Sequence, residues 1–326
     1  MTVSFIIIAY NEEETLGTVL QDLRKQDYPH EMTEVILVDG NSADATKELM
    51  NQFAVENKSF KRVIVLDNPK RTLPCGWNLA LNVACEDVIM RVDAHASVPF
   101  DFISNNIRCL KSGEKICGGY RPNMIDEEKP WKKTLLLAET SMFGSSIAPY
   151  RRNNERRYVN SIFHGAYCKE VFDKVGKYNE RLNRTEDNEI HYRMRQAGYK
   201  ICFEPSIISY QHTRNTLKTM LRQKYSNGYW IGKTAKICPR CLSAYHFIPG
   251  IFMIGIIITT ILAMQNVWWC GCLMWGCYWG LAMGMSFASI LREKKFFGIF
   301  LTLPLLFFLL HICYGAGTLK GIFSRN

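Results

Sequence analysis

Residues 3–14 read VSFIIIAYNEEE, an apolar run that is followed directly by polar and acidic residues. A short continuous run of aliphatic and aromatic residues is typical of a strand that is buried on both faces of a parallel sheet. Comparable runs predict three further strands at residues 34–38, 62–66 and 88–92. The first part of the chain therefore repeats one strand pattern.

Helical patterns occupy the segments between these predicted strands. Residues 12–25 and 42–56 are predicted to form crossover helices, the second with Ser42 as its N-cap. Alternating strands and helices predict an α/β domain whose ligand crevice lies at the carboxyl ends of the strands. We expect this α/β domain to extend over residues 1–212.

The C-terminal third has a different composition. No Asp, Glu, Lys or Arg occurs between residues 241 and 291, and apolar runs occupy residues 247–264, 267–291 and 296–319. Each run is close to the roughly 20 residues that a helix needs to cross about 30 Å of hydrocarbon. We expect a membrane domain with about three transmembrane helices over residues 246–326. A buried core hairpin is the alternative.

Residues 213–245 connect these two regions. They mix basic residues with leucine, methionine and aromatic residues, as an amphipathic helix in the membrane interface does. We predict such an interface segment here, with an ordinary surface helix as the alternative.

The charge of the chain indicates its surroundings. A formal net charge of +10 fits a protein that lies against anionic lipid and binds phosphorylated ligands, and we expect no nucleic-acid partner. The positive-inside rule puts the bases that flank the first two apolar runs in the cytoplasm, namely Lys233, Lys236, Arg240, Arg292, Lys294 and Lys295. We therefore expect a multi-pass protein of the inner (plasma) membrane with a cytoplasmic N-terminal domain. Lys320 and Arg325 would then lie outside, unless the third run is re-entrant.

Four polar clusters occur where strands of the first domain are predicted to end. They lie at residues 9–12, 38–44, 92–95 and 185–188. An acidic residue after a strand is often a helix cap. Four clusters in this order are difficult to explain by capping alone, so we interpret them as parts of one site.

The motifs in these clusters resemble family 2 of the inverting glycosyltransferases, particularly the bacterial branch that builds exopolysaccharides of the succinoglycan type on a lipid carrier. The resemblance rests on residues 7–13 (IIAYNEE), 38–46 (VDGNSADAT), 76–80 (GWNLA), 93–95 (DAH) and 163–167 (FHGAY), followed by Glu186 and Asp187. It implies a GT-A nucleotide-sugar transferase fold, which is a single Rossmann-like α/β domain. It also implies a nucleotide-diphosphate sugar donor, with a UDP-sugar favoured, and a lipid-linked saccharide acceptor.

The chemistry of this reaction agrees with the residue types. A sugar that leaves its nucleotide develops negative charge on the diphosphate, which a divalent cation with hard ligands can neutralise. We expect Asp93 and His95 to bind Mn²⁺ or Mg²⁺. Many relatives carry a second Asp where this chain has His95, and imidazole suits manganese better than magnesium. A structural role for His95 is the alternative.

The remaining site residues follow from the resemblance. Inversion needs a base that takes the proton of the acceptor hydroxyl. Asp187 is the predicted base, and Glu186 is predicted to raise its proton affinity by like-charge repulsion; a capping pair before a helix at residues 188–197 is the alternative. The predicted donor-binding residues are Ala9, Tyr10, Glu12, Asp39, Lys70, Arg71, Asn78 and Asp93.

Two other functions remain open at this point. A polyprenyl-phosphate glycosyltransferase that makes a lipid-linked monosaccharide would use the same domain. A membrane protein that binds a nucleotide sugar without turnover would also fit, although it would not need a base such as Asp187.

Overall fold

The computed structural model describes residues 1–125, 129–144, 155–212, 216–293 and 300–324. The chain folds into two compact units. The first comprises Met1–Pro122 and Pro149–His212, and the second comprises Asn123–Ala148 and Thr213–Asn326. Each unit has its own hydrophobic core.

The strands agree with the sequence pattern. The chain forms β1 (Val3–Ala9), β2 (Thr33–Asp39), β3 (Arg62–Asp67), β4 (Val88–Asp93), β5 (Ala96–Ser97), β6 (Ile116–Tyr120), β7 (Asn123–Met124), β8 (Arg157–Val159), β9 (Gly165–Cys168), β10 (Ile201–Ile208) and β11 (Tyr210–His212). All four predicted strands are confirmed to within one residue at either end. Every residue of β2 is buried, which explains why a continuous apolar run identifies it.

The helices are α1 (Leu16–Arg24), α2 (Thr46–Glu56), α3 (Leu73–Val83), α4 (Phe102–Lys111), α5 (Pro130–Thr140), α6 (Lys169–Val175), α7 (Glu186–Gln196), α8 (Leu217–Ile237), α9 (Ile248–Met264), α10 (Trp269–Glu293) and α11 (Thr302–Phe323). Helices α5 and α8–α11 belong to the second unit, and the others belong to the first.

The first unit contains one eight-stranded sheet with the order β3-β2-β1-β4-β9-β6-β10-β8. Strands β1 to β4 are parallel to one another, whereas β9 and β8 run antiparallel to their neighbours. The sheet is therefore mostly parallel, and the predicted α/β class is confirmed. Strand β1 lies between β2 and β4, so the strand order reverses there. In open α/β sheets the ligand crevice lies at this switch point.

Two predicted helix starts are wrong. Helix α2 begins at Thr46, and Ser42 is not its N-cap, because the Ser42 hydroxyl accepts a hydrogen bond from the backbone of Asn11. Helix α1 begins at Leu16 rather than at residue 12. The intervening residues form a loop, and the backbone N–H of Glu12 donates to the Thr46 hydroxyl.

The second unit contains two helical segments that are long and apolar enough to cross a membrane, Ala244–Met264 and Thr302–Phe323, among the residues the structure describes. Helices form in all three predicted apolar runs, but α10, whose sequence includes several glycine, tryptophan and serine residues, is not one of the two. The expected set of about three spans is therefore not confirmed. Residues 213–215 and 296–299, with Lys294, Lys295 and Arg325, all part of the topology prediction, lie outside the described residues.

Helices α8 and α11 pack with their backbones in contact. A Cβ atom at Gly228 of α8 would lie 2.0 Å from the carbonyl oxygen of Tyr314, and one at Gly321 of α11 would lie 2.1 Å from that of Tyr229. Glycine is therefore required on both helices, as in small-residue helix interfaces. The predicted role of residues 213–245 at the membrane surface stays a prediction.

Helix α5 is part of the same unit. Its Leu135 and Ala138 are completely buried in the second core together with Phe307 of α11. The loop that follows α5 is fixed by His311 of α11, whose Nε2 atom lies 2.7 Å from the carbonyl oxygen of Phe143. The predicted domain boundaries rested on composition and assigned this segment to the first domain, and they stay a prediction.

Candidate functional site

The loops that follow β1 and β2 are joined by reciprocal hydrogen bonds. The backbone N–H of Asn11 donates to Ser42 Oγ at 3.0 Å, and Asn11 Oδ1 accepts from the backbone of Ala43 at 2.9 Å. The bond from Glu12 N to Thr46 Oγ1 is 2.8 Å long. Both loops lie at the carboxyl end of the sheet and therefore form one connected surface there.

Three residues at this end of the sheet have left-handed backbones. They are Asn11 (φ 53°), Asn41 (φ 60°) and Arg71 (φ 59°), one in each of the loops after β1, β2 and β3. Asparagine tolerates this conformation, but arginine rarely adopts it. Backbone strain of this kind often marks a functional site.

The left-handed backbone brings Arg71 to Tyr10. The Arg71 guanidinium carbon lies 6.0 Å from the centre of the Tyr10 ring, and the ring is 47% exposed. With the Asn41 amide turned toward it, Arg71 Nη2 donates to the Asn41 side-chain oxygen at 2.7 Å. Two of the predicted donor-binding residues are thus adjacent and present an aromatic face beside a cation.

Ala9 and Asp39 are the last residues of β1 and β2 and are paired in register. The backbone N–H of Gly40 donates to the Ala9 carbonyl oxygen at 2.8 Å. The buried Asp39 carboxylate accepts from the backbone N–H of Ser42 at 3.2 Å. These two predicted donor-binding residues are therefore neighbours in the crevice.

An acid and imidazole cluster lies at the switch point between β1 and β4. His95 Nε2 is 4.0 Å from Asp93 Oδ2, and His95 Nδ1 is 3.3 Å from Glu12 Oε1. On the other side, His164 Nε2 is 3.7 Å from Asp93 Oδ2 and accepts from the Asp93 backbone N–H at 3.2 Å. The two predicted metal ligands are therefore brought together, with Glu12 and His164 beside them.

The protonation states in this cluster suit a cation. Burial would raise the pKa of Asp93, but the contact with His164 and the charge of Arg91 oppose it, and the pKa lies well below its usual range. Burial lowers the pKa of His164 to about 4, although Asp93 opposes the shift. Asp93 is therefore ionised and His164 neutral near pH 7.

The geometry also suits one ion. Hard divalent cations bind their ligands at about 2.1 Å, so small side-chain rotations would bring the Asp93 oxygen and the His95 nitrogen to the same ion. Carboxylate oxygen and neutral imidazole nitrogen are both ligands of Mn²⁺. The residues present fit a divalent metal.

Glu186 and Asp187 lie in the first turn of α7, so the helix predicted at residues 188–197 begins two residues early. Glu186 is 1% exposed, and its Oε1 atom is 2.8 Å from Arg91 Nη2. Asp187 is only partly buried, and its Oδ1 atom accepts from the backbone of Asn188 at 2.8 Å. Asp187 is therefore partly accessible to solvent, whereas Glu186 is buried against Arg91.

Burial controls the proton affinity of both carboxyl groups. It raises the pKa of Glu186 to about 7, although the Arg91 charge opposes it. Burial also raises the pKa of Asp187, again against Arg91. A raised pKa is what a general base requires, because a very weak base takes a proton poorly.

Lys70 and Asn78 have other partners. Lys70 is ion-paired with Glu180 at 2.8 Å, and its side chain is 68% exposed. Asn78 donates to Glu180 Oε1 at 3.1 Å and to the Tyr178 carbonyl oxygen at 3.0 Å. Within the described residues, both side chains thus hold the segment before α7 instead of joining Tyr10 and Asp39.

Two residues of the site were missed by sequence reasoning. His164 lies in the motif at residues 163–167 but was given no role. Arg91 lies two positions before Asp93 in β4, and the period-two alternation of a strand puts both side chains on one face of the sheet. That alternation was an available signal for Arg91.

A mostly parallel sheet with this acid cluster at its switch point is the GT-A fold of nucleotide-sugar transferases. The mannosyltransferase PcManGT from Pyrobaculum calidifontis, solved with GDP-Man and Mn²⁺, is similar with a TM-score of 0.65 and 16% identity, over 99% of this chain and 88% of that one. The model of glycosyl transferase family 2 matches residues 4–176. The chain belongs to this family.

Two curated relatives extend the comparison. The first is the dolichyl N-acetyl-alpha-D-glucosaminyl phosphate 3-beta-D-2,3-diacetamido-2,3-dideoxy-beta-D-glucuronosyltransferase of Methanococcus voltae, which is 25% identical over 99% of this chain and 98% of its own length. The second is the succinoglycan biosynthesis protein ExoA of Rhizobium meliloti (strain 1021), 26% identical over 70% of this chain and 68% of its own. The similarity to the first thus extends beyond the catalytic domain.

Proposed function

We propose that this chain is an inverting, metal-dependent glycosyltransferase that moves a sugar from a nucleotide-diphosphate donor, preferably a UDP-sugar, to a lipid-linked saccharide in cell-surface polysaccharide assembly. The observation that carries the proposal is the cluster of Glu12, Asp93, His95 and His164 at the sheet switch point. The name of the Methanococcus relative specifies a dolichyl-linked sugar phosphate, which supports a lipid-linked acceptor. The succinoglycan relative supports polysaccharide assembly.

Residues at the ends of β1, β2 and β3 bind the nucleotide. The exposed ring of Tyr10 offers a flat apolar face, and the Arg71 guanidinium beside it offers positive charge. Asp39, held by the Ser42 backbone, accepts hydrogen bonds from the base, and Ala9 lines the crevice next to it.

Asp93 and His95 hold the divalent cation, Mn²⁺ or Mg²⁺. When bound, the cation neutralises charge on the diphosphate as the sugar leaves. Glu12 lies on the Nδ1 side of His95 and so leaves Nε2 directed toward Asp93. Carboxylates in this position commonly orient the imidazole ligands of metals. Glu12 thus orients the metal ligand His95, in addition to its predicted role in donor binding.

Asp187 acts as the general base. It takes the proton of the acceptor hydroxyl while that oxygen attacks the anomeric carbon from the face opposite the diphosphate. Its partial exposure lets the acceptor reach it, and burial raises its pKa toward that of a useful base.

The second unit attaches the enzyme to the cytoplasmic face of the inner membrane. Lys218, Arg222 and Lys236 are exposed and recur at helical spacing on one side of α8, opposite the buried Met220 and Ile231. Apolar side chains are also exposed along α9, including Ile251 (63%) and Ile257 (50%). The basic side of α8 suits anionic headgroups, and α9 suits hydrocarbon.

The test uses purified full-length protein in detergent. UDP-glucose, UDP-N-acetylglucosamine, UDP-glucuronate and GDP-mannose would each be supplied with polyprenyl phosphate or with a polyprenyl-linked saccharide. We expect a product with one UDP-sugar and the saccharide acceptor, and no product with EDTA present. Transfer to bare polyprenyl phosphate would instead identify a monosaccharide-lipid synthase, and nucleotide-sugar binding without release of nucleotide would identify a binding protein.

A further inference from the structure

A buried ion pair lies directly behind the proposed base. Arg91 is 3% exposed and Glu186 is 1% exposed, and Arg91 Nη2 donates to Glu186 Oε1 at 2.8 Å. Arg91 belongs to β4 and Glu186 to the first turn of α7. The pair therefore joins the central sheet to the helix that carries Asp187.

Aromatic rings surround the Arg91 guanidinium. Its central carbon lies 4.9 Å from the ring centre of Trp77, 5.7 Å from that of Phe163 and 5.9 Å from that of Tyr178. Contacts between a cation and aromatic faces are strongest when water is excluded, as it is here. The rings fix the position of the guanidinium, so the ion pair also fixes the position of Glu186.

The pair lies between the proposed metal ligand Asp93 and the proposed base Asp187 along their two elements. Asp93 is two residues from Arg91 on the same strand, and Asp187 is the residue after Glu186. The metal ligand and the base are thus each one or two residues from a member of the pair. An in-line displacement depends on the distance between the attacking and the leaving oxygens, and an error near 1 Å can cost about 100-fold in rate.

We propose that Arg91 is a positioning residue that sets the distance between Asp187 and Asp93 by holding Glu186, an inference that rests on the proposed function. Stability alone does not explain the pair, because apolar residues of similar volume often replace a buried ion pair without loss. The charged hydrogen bond from Arg91 Nη2 to Glu186 Oε1 gives what an apolar pair cannot, a direction toward one carboxylate oxygen.

The body of α7 has separate attachments, so it should stay folded without this pair. His191, one turn after Asp187, bonds Ser161 Oγ at 2.9 Å and the Tyr167 hydroxyl at 2.8 Å. Arg193 donates to the carbonyl oxygens of Val175 at 2.7 Å and Lys177 at 2.6 Å, outside the helix. Losing Arg91 should therefore loosen the first turn of α7 rather than unfold the helix.

The test compares Arg91→Lys and the double variant Arg91→Met/Glu186→Gln with the parent in the full-length protein. The double variant removes both charges together, so no unpaired buried charge remains. Binding of UDP with MnCl₂ would be measured by calorimetry, and kcat and KM by nucleotide release from the UDP-sugar used by the parent. We expect UDP affinity within about twofold of the parent and a kcat roughly 10–100-fold lower in the double variant. Arg91→Lys should recover part of this loss.

Arg193→Lys is the matched control, because it alters a second arginine that holds α7 in place, at a point away from the base, and lysine can still pair with Glu189. It should leave kcat within about twofold of the parent, by the same reasoning on distance. Equal losses in Arg193→Lys and Arg91→Lys, an unchanged kcat in the double variant, or loss of UDP affinity in step with kcat would each overturn the positioning role. Asp187→Asn separates the two proposals. Full activity in that variant would refute the proposal that Asp187 is the base. An inactive Asp187→Asn together with fully active Arg91 variants would refute only the positioning role of Arg91.

Discussion

Asp187→Asn replaces the proposed base by a group of nearly the same shape that cannot take a proton. The Asp187 Oδ1 atom accepts from the Asn188 backbone, and an asparagine oxygen can accept the same bond, so the first turn of α7 should be kept. General-base catalysis typically contributes about 10²–10⁴-fold in rate, or about 2.7–5.4 kcal/mol in activation free energy. We expect kcat to fall by that factor.

Nucleotide binding should scarcely change in this variant, because Tyr10, Asp39 and the metal ligands are on other elements. The assay combines nucleotide release at saturating donor with calorimetric binding of UDP and MnCl₂. Glu186→Gln should lose less, since glutamine can still accept from Arg91. Normal turnover in Asp187→Asn, or a loss of UDP affinity equal to the loss in rate, would show that Asp187 only caps the helix.

Four further predictions can be checked independently. Chelation should abolish transfer by the parent, and manganese should restore it at least as well as magnesium. Asp93→Ala should stay inactive with either ion, whereas His95→Asp should shift the metal preference toward magnesium. Burial raises the pKa of Asp187, so the acidic limb of the profile of kcat against pH should lie at higher pH than for an ordinary aspartate. Activity should be lost as the pH falls below that limb. An acidic limb at the pKa of an ordinary aspartate would contradict the prediction. Protease added outside intact cells should leave residues 1–240 uncut. Gly228→Leu should lower the unfolding free energy of the protein in detergent by about 1–3 kcal/mol or more, whereas Gly284→Leu, whose Cβ position has open space around it among the described residues, should not.

The strands and the site loops were largely predictable from sequence. Continuous apolar runs identify β1, β2 and β4 because these strands are buried on both faces, whereas β3 is only half-buried. Asp93 and His95, two residues apart, were both predicted at the end of one strand. In the structure His95 Nε2 lies 4.0 Å from Asp93 Oδ2. Order along the chain and alternation within a strand are local properties, which a sequence displays directly.

Contacts between distant residues were the main omission. Ser42 has the composition of an N-cap, but its hydroxyl bonds Asn11, 31 positions earlier, and the helix begins after it. Glu186 was interpreted through its neighbour Asp187, whereas its partner is Arg91, 95 positions away. Such pairings depend on how the sheet is assembled, and propensity or periodicity does not report them.

The assignment of Asn123–Ala148 to the second unit has a practical consequence for anyone who shortens this chain. The polypeptide passes between the two units three times, after residues 122, 148 and 212, so no single cut separates them. A fragment that stops at residue 212 would keep α5 but lose Phe307 and the other α11 residues that cover Leu135 and Ala138. Its exposed apolar helix would favour aggregation. Ribosomal synthesis follows the same order, because α5 is translated long before α11, and Leu135 and Ala138 have no α11 partner until the last helix has been made.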